Sequence, residues 1–133
     1  MLAHARVTTA MDERLRAEVG IPGTWYEALV EIAFAGGTMR MNEFAEETTL
    51  TKSGATRFVD RLEAAGLVTR EACPTDRRAS YLVLTEEGRR VQRAADPHVL
   101  EVIDEMFGNS LSDDEAVTIR DALNRARLDL AAI

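Results

Sequence analysis

The 133-residue sequence contains one cysteine, Cys73, and only two histidines, His4 and His98. A single cysteine excludes an intrachain disulfide and suits a reducing compartment. Histidines this far apart in the sequence argue against a zinc site. No apolar run approaches the ~20 residues that cross a bilayer, and residues 1–6 lack the apolar core of a signal peptide. We therefore expect a cytoplasmic protein with no membrane segment and no bound metal or cofactor.

The sequence also lacks the usual residue patterns of catalysis. We find no paired carboxylates on a defined cleft, no Ser-His-Asp order and no glycine loop that would hold phosphate. Apolar residues make up 46% and charged residues 29%, an ordinary balance for a folded domain. The length is sufficient for one domain with a hydrophobic core. An enzyme is therefore the least favoured class of protein.

The formal net charge of −7 argues against a nucleic-acid partner, but the charge is unevenly distributed. Residues 52–78 carry six basic and four acidic side chains, whereas the rest of the chain carries ten and nineteen. Salt screens charges beyond roughly 8 Å, so distant acids do not cancel a local basic patch. An ordinary mixed surface would explain the charges of this window equally well.

Apolar spacing and cap residues predict a mainly helical chain with one β-hairpin. Thr24–Glu27 has the pattern of a capping box, and Gly36 and Gly37 end the helix that follows it. Residues 38–40 could pair at the edge of a sheet. Pro97 falls inside a long helix, and Ser112–Glu115 is a second capping box. The predicted helices are 3–19, 25–35, 42–48, 51–65, 85–107 and 113–133, and the predicted strands are 67–71 and 80–84.

A helix-turn-helix is predicted where two short helices meet at residues 48–50. The N-terminal residues of a second helix of this kind contact base edges in the major groove. Arg57 is long enough to bond a guanine edge, a contact that contributes about 1–3 kcal/mol of discrimination. A solvated helix face is an equally good interpretation of this motif alone. Thr51 would cap the helix, and the inward stripe would be Ala55, Phe58, Val59, Leu62 and Ala65.

The predicted hairpin carries a charged loop at its tip, with Asp76, Arg77 and Arg78. These side chains have no place in a core, and an arginine at a hairpin tip can enter the minor groove, where the potential is most negative over A·T-rich steps. A neighbouring carboxylate can hold such an arginine in a bonding orientation. The alternative is an exposed loop with an ion pair.

Four segments together resemble the MarR (multiple antibiotic resistance regulator) family. They are 51–57, the run Leu-Glu-Ala-Ala-Gly-Leu-Val at 62–68, Asp-Arg-Arg at 76–78 and Leu-Thr-Glu-Glu-Gly at 84–88. The resemblance implies one domain, 1–133, that is mainly α, with a winged helix-turn-helix and a small β-hairpin wing. The lobe 24–96 would bind DNA. Helices in 1–20 and 98–133 would form a dimerisation lobe, in which 116, 119, 123, 126, 130 and 133 make an apolar seam.

The resemblance also implies roles for individual residues. Ser53, Thr56 and Arg57 would contact the major groove, Thr51 and Lys52 phosphate, and Arg78 the minor groove. Asp76 would orient that arginine, and Arg61 and Arg77 complete the DNA-binding set. A small aromatic acid would be the effector, held in a cleft between the lobes. Its candidate lining residues, for which core packing is the alternative, are Met11, Trp25, Tyr26 and His98.

Three positions differ from the family pattern or allow two interpretations. Thr49 stands in the turn where relatives often have glycine, and Gly54 lies in the first turn of the second helix. Cys73 is either an incidental small residue or a reactive thiol whose pKa is lowered by Arg70 or Arg77.

The function we predict is a homodimeric, sequence-specific DNA-binding transcriptional regulator. It would be a repressor at a near-palindromic operator, released by a small ligand. The alternative is a winged-helix protein-interaction module that does not bind DNA.

Overall fold

The computed structural model describes residues 2–48 and 50–131, with the backbone alone at 123–124 and 126–131. Within these residues it has six helices and three strands, which confirms the mainly helical prediction with one hairpin. Met1, Thr49 and residues 132–133 lie outside the described part. The elements in chain order are α1 (Leu2–Glu18), α2 (Gly23–Phe34), β1 (Thr38–Arg40), α3 (Met41–Glu47), α4 (Lys52–Ala64), β2 (Val68–Ala72), β3 (Ser80–Leu84), α5 (Glu86–Phe107) and α6 (Asp113–Ala131).

The sheet is antiparallel, in the order β1-β3-β2. Thr38–Arg40 pairs with β3, as predicted, with Arg40 opposite Tyr81. On the other side of β3, Val68 lies opposite Leu84 and Ala72 opposite Ser80. β2 and β3 with the loop 73–79 between them are called the wing below.

The core lies between α4, the sheet and the first helices. Phe44, Val59, Leu62 and Leu82 are fully buried, and Phe58 packs against this cluster. The predicted stripe on α4 is therefore confirmed except at its end. Ala65 is exposed, because it is the C-cap residue, and the chain turns away after it at Gly66, which has a φ of 74°.

Side-chain caps fix the starts of α4, α5 and α6 as the sequence predicts. The hydroxyl of Thr51 accepts a hydrogen bond from the Gly54 amide at 3.1 Å, and the hydroxyl of Thr85 accepts from the Gly88 amide at 2.9 Å. At α6, the Glu115 carboxylate accepts from the Ser112 amide at 2.8 Å. These ends are set by residues no more than three positions apart.

The predicted capping box at Thr24–Glu27 is wrong. The helix α2 begins earlier, at Gly23, with Pro22 as its N-cap residue and no capping side chain of its own. The Gly23 amide instead donates to Oδ1 of Asp12 in α1, at 2.8 Å. The same carboxylate accepts a hydrogen bond from Arg16 Nε at 2.7 Å. Both bonds lower the pKa of Asp12, and the bond from Arg16 has the larger effect. A long-range partner thus replaces the local one.

Gly88 sets how closely α5 approaches the turn between α4 and β2. A Cβ at this position would overlap the carbonyl oxygen of Leu67. That oxygen accepts from the Thr85 amide at 3.1 Å, and the Thr85 hydroxyl donates to the Gly66 carbonyl at 2.7 Å. The first turn of α5 therefore lies directly against the turn that follows α4.

The terminal helices pack through α1 and α5. Arg14 bonds Glu101 and Glu105, at 3.0 Å each, and Pro97 lies inside α5 as predicted. On α6, Ile119 is partly exposed and Ala116 is exposed. The remaining predicted seam positions, 123, 126, 130 and 133, lie outside the described side chains. No helix in the described residues is long and apolar enough to cross a membrane.

Candidate nucleic-acid interface

The nine residues predicted to bind DNA are all exposed, and they lie at two places. One group is on α4, mainly its first two turns, and the other is in the wing loop. The α4 group is Thr51, Lys52, Ser53, Thr56, Arg57 and Arg61, and the loop group is Asp76, Arg77 and Arg78.

The hydroxyl groups on α4 are not equivalent. Thr51 accepts from the Gly54 amide and lies 3.4 Å from the Ser53 oxygen. The Thr56 hydroxyl donates its proton to the Lys52 carbonyl at 2.9 Å. Thr56 therefore presents an acceptor oxygen and a methyl group, whereas Ser53 can still donate or accept.

Four of the predicted cations form no ion pair within residues 2–48 and 50–131. They are Lys52, Arg57, Arg77 and Arg78. Arg61 also lacks an ion pair there, but its guanidinium lies over the Phe58 ring, 5.8 Å from the centroid. An exposed cation without a carboxylate partner is available to a phosphate or a base edge.

Asp76 shapes the wing loop through the backbone. Its Oδ1 accepts from the Arg78 amide at 2.9 Å, and its carbonyl accepts from the Ala79 amide at 3.1 Å. This is an Asx turn, which fixes the chain at Arg78. The ion pair of the alternative interpretation does not form between this carboxylate and any described guanidinium, so Asp76 orients the Arg78 backbone and leaves the side chain free.

A concave surface of about 510 Å³ connects the two groups. It brings Lys52 and Thr56 of α4 together with Asp76 and Arg78 of the wing loop. Arg40 and Asn42, which the sequence reasoning missed, also line it. Pairing of 38–40 at the sheet edge was the signal that could have indicated Arg40. The full lining is Arg40, Met41, Asn42, Ala45, Glu46, Leu50, Lys52, Thr56, Asp76, Arg78, Ala79 and Ser80.

A second concave surface, also of about 510 Å³, lies on the other side of Leu50. Arg61 and Phe58 line it together with Glu27 and Glu47. Arg61 therefore belongs to a different, more acidic surface than Thr56 does. Among the nine predicted residues it is the one whose surroundings least favour a phosphate.

Arg70 makes two ion pairs in this region that the sequence did not predict. Its guanidinium lies 2.7 Å from Asp60 and 2.6 Å from Glu63, both on α4. The sequence shows a basic residue within a predicted strand, but it does not show which carboxylates the folded chain brings within reach.

Cys73 is buried, with 6% of its surface exposed. Hydrogen bonding with Thr75, above all with its side chain, lowers the pKa of the thiol from 9.0 to about 7. Sγ of Cys73 lies 3.4 Å from Oγ1 of Thr75. The expectation that Arg70 or Arg77 would lower this pKa is wrong. The cause is a hydrogen bond within the loop, while Arg70 is held by α4.

The four candidate cleft residues do not line either concave surface. Met11, Trp25 and Tyr26 are half-buried and pack on the core. The Tyr26 hydroxyl donates to Asp96 at 2.8 Å, and burial, followed by this bond, raises the pKa of Tyr26. His98 Nδ1 lies 3.6 Å from Glu101. An effector cleft at these residues stays a prediction.

Comparison with known proteins identifies the family. A model of the MarR family matches residues 19–79. The HTH-type transcriptional regulator MhqR of Bacillus subtilis is 30% identical over 102 residues, which is 77% of this chain and 70% of that protein. AbsC, a MarR family transcriptional regulator from Streptomyces coelicolor, has a TM-score of 0.80 at 30% identity, covering 98% of this chain and 88% of its own. Sco3205 from the same organism, solved in complex with DNA, has a TM-score of 0.80 at 28% identity, covering 94% and 79%. The chain belongs to the MarR family and is a helix-turn-helix transcriptional regulator, not an enzyme.

Proposed function

We propose that this regulator is a cytoplasmic homodimeric repressor of a near-palindromic operator, which it reads with the first turns of α4 and with the wing. The observation that carries the proposal is the concave surface that joins α4 to the wing loop. It presents Lys52 and Arg78 on its two sides, and both side chains are exposed. A duplex against this surface would meet a helix N-terminus and three cations, Arg40, Lys52 and Arg78.

The electrostatics of α4 support the contact. The N-terminus of a helix carries a partial positive charge and free amide groups, which favour phosphate. Lys52 is the first residue of α4, and the four helix and loop cations without ion pairs add to this field. The chain's net charge of −7 does not oppose the interaction, because most of the acids lie outside the window 52–78.

Exposed apolar side chains on the terminal helices support a homodimer. Leu100 is 65% exposed and Ile103 41% on α5, and Val117 and Ile119 are also exposed on α6. A group of such side chains on a soluble chain marks an interaction surface. Dimer symmetry would put two α4 helices about one turn of DNA apart, which is the reason for proposing a near-palindromic operator.

Two relatives support the DNA-binding part of the proposal. Sco3205 was solved in complex with DNA, and MhqR is named an HTH-type transcriptional regulator. By the same likeness we propose the exposed α4 and wing-loop residues as the contact set, with Arg61 at its edge. We propose a small aromatic acid as the effector, bound near Met11, Trp25, Tyr26 and His98.

The decisive test is DNA binding by the wild-type protein and by Arg57→Ala and Arg78→Ala. DNA fragments that co-purify with the protein would be sequenced to give the operator, and affinity would be measured by fluorescence anisotropy. Each substitution should weaken operator binding by about tenfold, because a bidentate base contact contributes roughly 1–3 kcal/mol. Circular dichroism would show that the fold is intact.

Arg90→Ala is the matched control, since Arg90 is an exposed arginine on α5 paired with Glu87. It should bind like the wild type. Wild-type affinity in both Arg57→Ala and Arg78→Ala would overturn the proposed interface. Failure of the wild-type protein to bind any DNA would favour the protein-interaction module.

A further inference from the structure

Arg70 joins the wing to α4 through four hydrogen bonds. Its Nη2 donates to the Asp60 carboxylate at 2.7 Å and to the Thr56 carbonyl at 3.1 Å. Its Nη1 donates to Glu63 Oε2 at 2.6 Å. Its backbone amide donates to the other oxygen of Glu63 at 3.1 Å. One residue of β2 therefore holds three residues of α4.

The three residues that accept these bonds follow one side of the helix. Thr56, Asp60 and Glu63 are separated by four and three positions, so they lie in a row about 10 Å long. A single contact would let the helix rotate or slide against the strand. Contacts along two turns restrict both movements, and the short connection through Gly66 already fixes the C-terminal end of α4.

The strand pairing carries this restraint to the wing tip. Arg70 lies opposite Leu82 in the β2–β3 ladder, and the pairing continues to Ala72 opposite Ser80. Asp76 and Arg78 follow within the loop that this ladder closes. The position of Arg78 relative to Thr56 therefore depends on where Arg70 fastens β2.

The same contacts occupy the Arg70 guanidinium with Asp60 and Glu63 of α4. Arg70 is only 25% exposed and is directed at these carboxylates. Its guanidinium is thus already bonded on the protein side, in contrast to Arg57 and Arg78.

We propose that Arg70 is a positioning residue that sets the spacing between α4 and the wing, so that both enter their grooves in one register, and that it does not itself contact DNA. This inference rests on the proposed DNA-binding function. It assigns operator specificity in part to a residue outside the contact surface.

The main test compares Arg70→Ala with Arg90→Ala, which removes the same charge and an ion pair elsewhere. Affinity would be measured for the operator and for a scrambled duplex at several salt concentrations. Arg70→Ala should lose roughly tenfold in operator affinity while scrambled-duplex affinity stays close to wild type, so the specificity ratio falls by the same factor. The salt slope should be unchanged, whereas loss of one phosphate contact would reduce it by about 0.9. Equal losses on both duplexes, or a reduced slope, would overturn the inference.

Conservative and paired substitutions separate positioning from simple destabilisation. Arg70→Lys keeps the charge, but the lysine ammonium group lacks the planar guanidinium that bonds three acceptors. This variant should therefore recover only part of the specificity ratio. Glu63→Ala should lower the ratio, and adding it to Arg70→Ala should cause little further loss, because both act through one network. Strictly additive losses would contradict the proposed link.

A measurement without DNA makes the outcome independent of the proposed function. Backbone order parameters of residues 73–79 should fall in Arg70→Ala and remain at wild-type values in Arg90→Ala. If the wild type binds its operator and Arg70→Ala matches it in specificity, the inference fails and the function stands. If the wild type binds no DNA, the function fails, and unchanged order parameters would then overturn the positioning role as well.

Discussion

At the scale of single residues, the arginines of this protein form two groups: those already paired with a carboxylate of the protein and those that are not. Arg70 and Arg14 are bonded to carboxylates of another element, whereas Arg57 and Arg78 form no ion pair within the described side chains. Sequence alone predicts that all of them are basic and on the surface. It does not separate the two kinds, because each carboxylate partner comes from a different helix or strand. The exposure of the predicted contact residues on α4 followed from their position in the helix, whereas the Arg70 contacts could not be predicted.

Cys73 gives a residue-scale prediction about pH. Because Thr75 lowers the pKa of the thiol to about 7, alkylation by iodoacetamide should rise to half of its plateau rate near pH 7. In Thr75→Val the midpoint should move toward 9.0, the thiol's ordinary value. Mass spectrometry of the labelled protein over pH 5.5–10 measures both.

The same shift has a consequence for stability. A pKa lowered by folding stabilises the folded state above the unfolded pKa, and this contribution is lost as the pH falls through the folded value. The stability difference between wild type and Thr75→Val should therefore be largest above pH 9 and shrink toward pH 6.5. Thr69→Val on β2 is the control, and a midpoint unchanged by Thr75→Val would contradict the assigned cause.

At the scale of elements, local patterns predicted the helices well where the cap lies within three residues. Thr51 and Thr85 begin their helices as expected, and Phe58, Val59 and Leu62 form the inward stripe. The predicted start of α2 was wrong because the amide of its first residue, Gly23, donates to Asp12, eleven positions earlier. Contacts between residues this far apart depend on how the helices pack together. The spacing of apolar residues along one helix carries no information about that packing.

The approach of α5 to Leu67 gives an element-scale prediction. Gly88→Ala would place a methyl group against a backbone oxygen that cannot rotate away. We expect a loss of about 2 kcal/mol in the free energy of unfolding, within the range for overpacked sites. Urea denaturation followed by circular dichroism measures this loss.

A variant on the same helix provides the comparison. Arg90→Ala removes an exposed ion pair and should change stability by less than about 0.5 kcal/mol. If Gly88→Ala proves as stable as Arg90→Ala, α5 does not depend on the close contact with Leu67.

At the scale of the whole molecule, the exposed apolar side chains predict the assembly. Leu100→Glu should convert the proposed dimer to a monomer, because a carboxylate in the proposed interface would be buried without a partner. Phe34→Glu is the matched control, since Phe34 is 78% exposed and is the last residue of α2. Sedimentation velocity distinguishes the two states, and a Leu100→Glu protein that stays dimeric would exclude α5 from the interface.

The contact between Asp12 and Gly23 limits how far this chain can be treated as two interchangeable parts. The first helix supplies the carboxylate that bonds the start of α2 and buries Leu15 in the same core as Leu29 and Leu82. A fragment cut at residue 24 would lose that carboxylate and expose that core. The predicted DNA-binding lobe, 24–96, should therefore not fold as a transplantable module, and chimeric regulators made from this protein would have to keep its first helix.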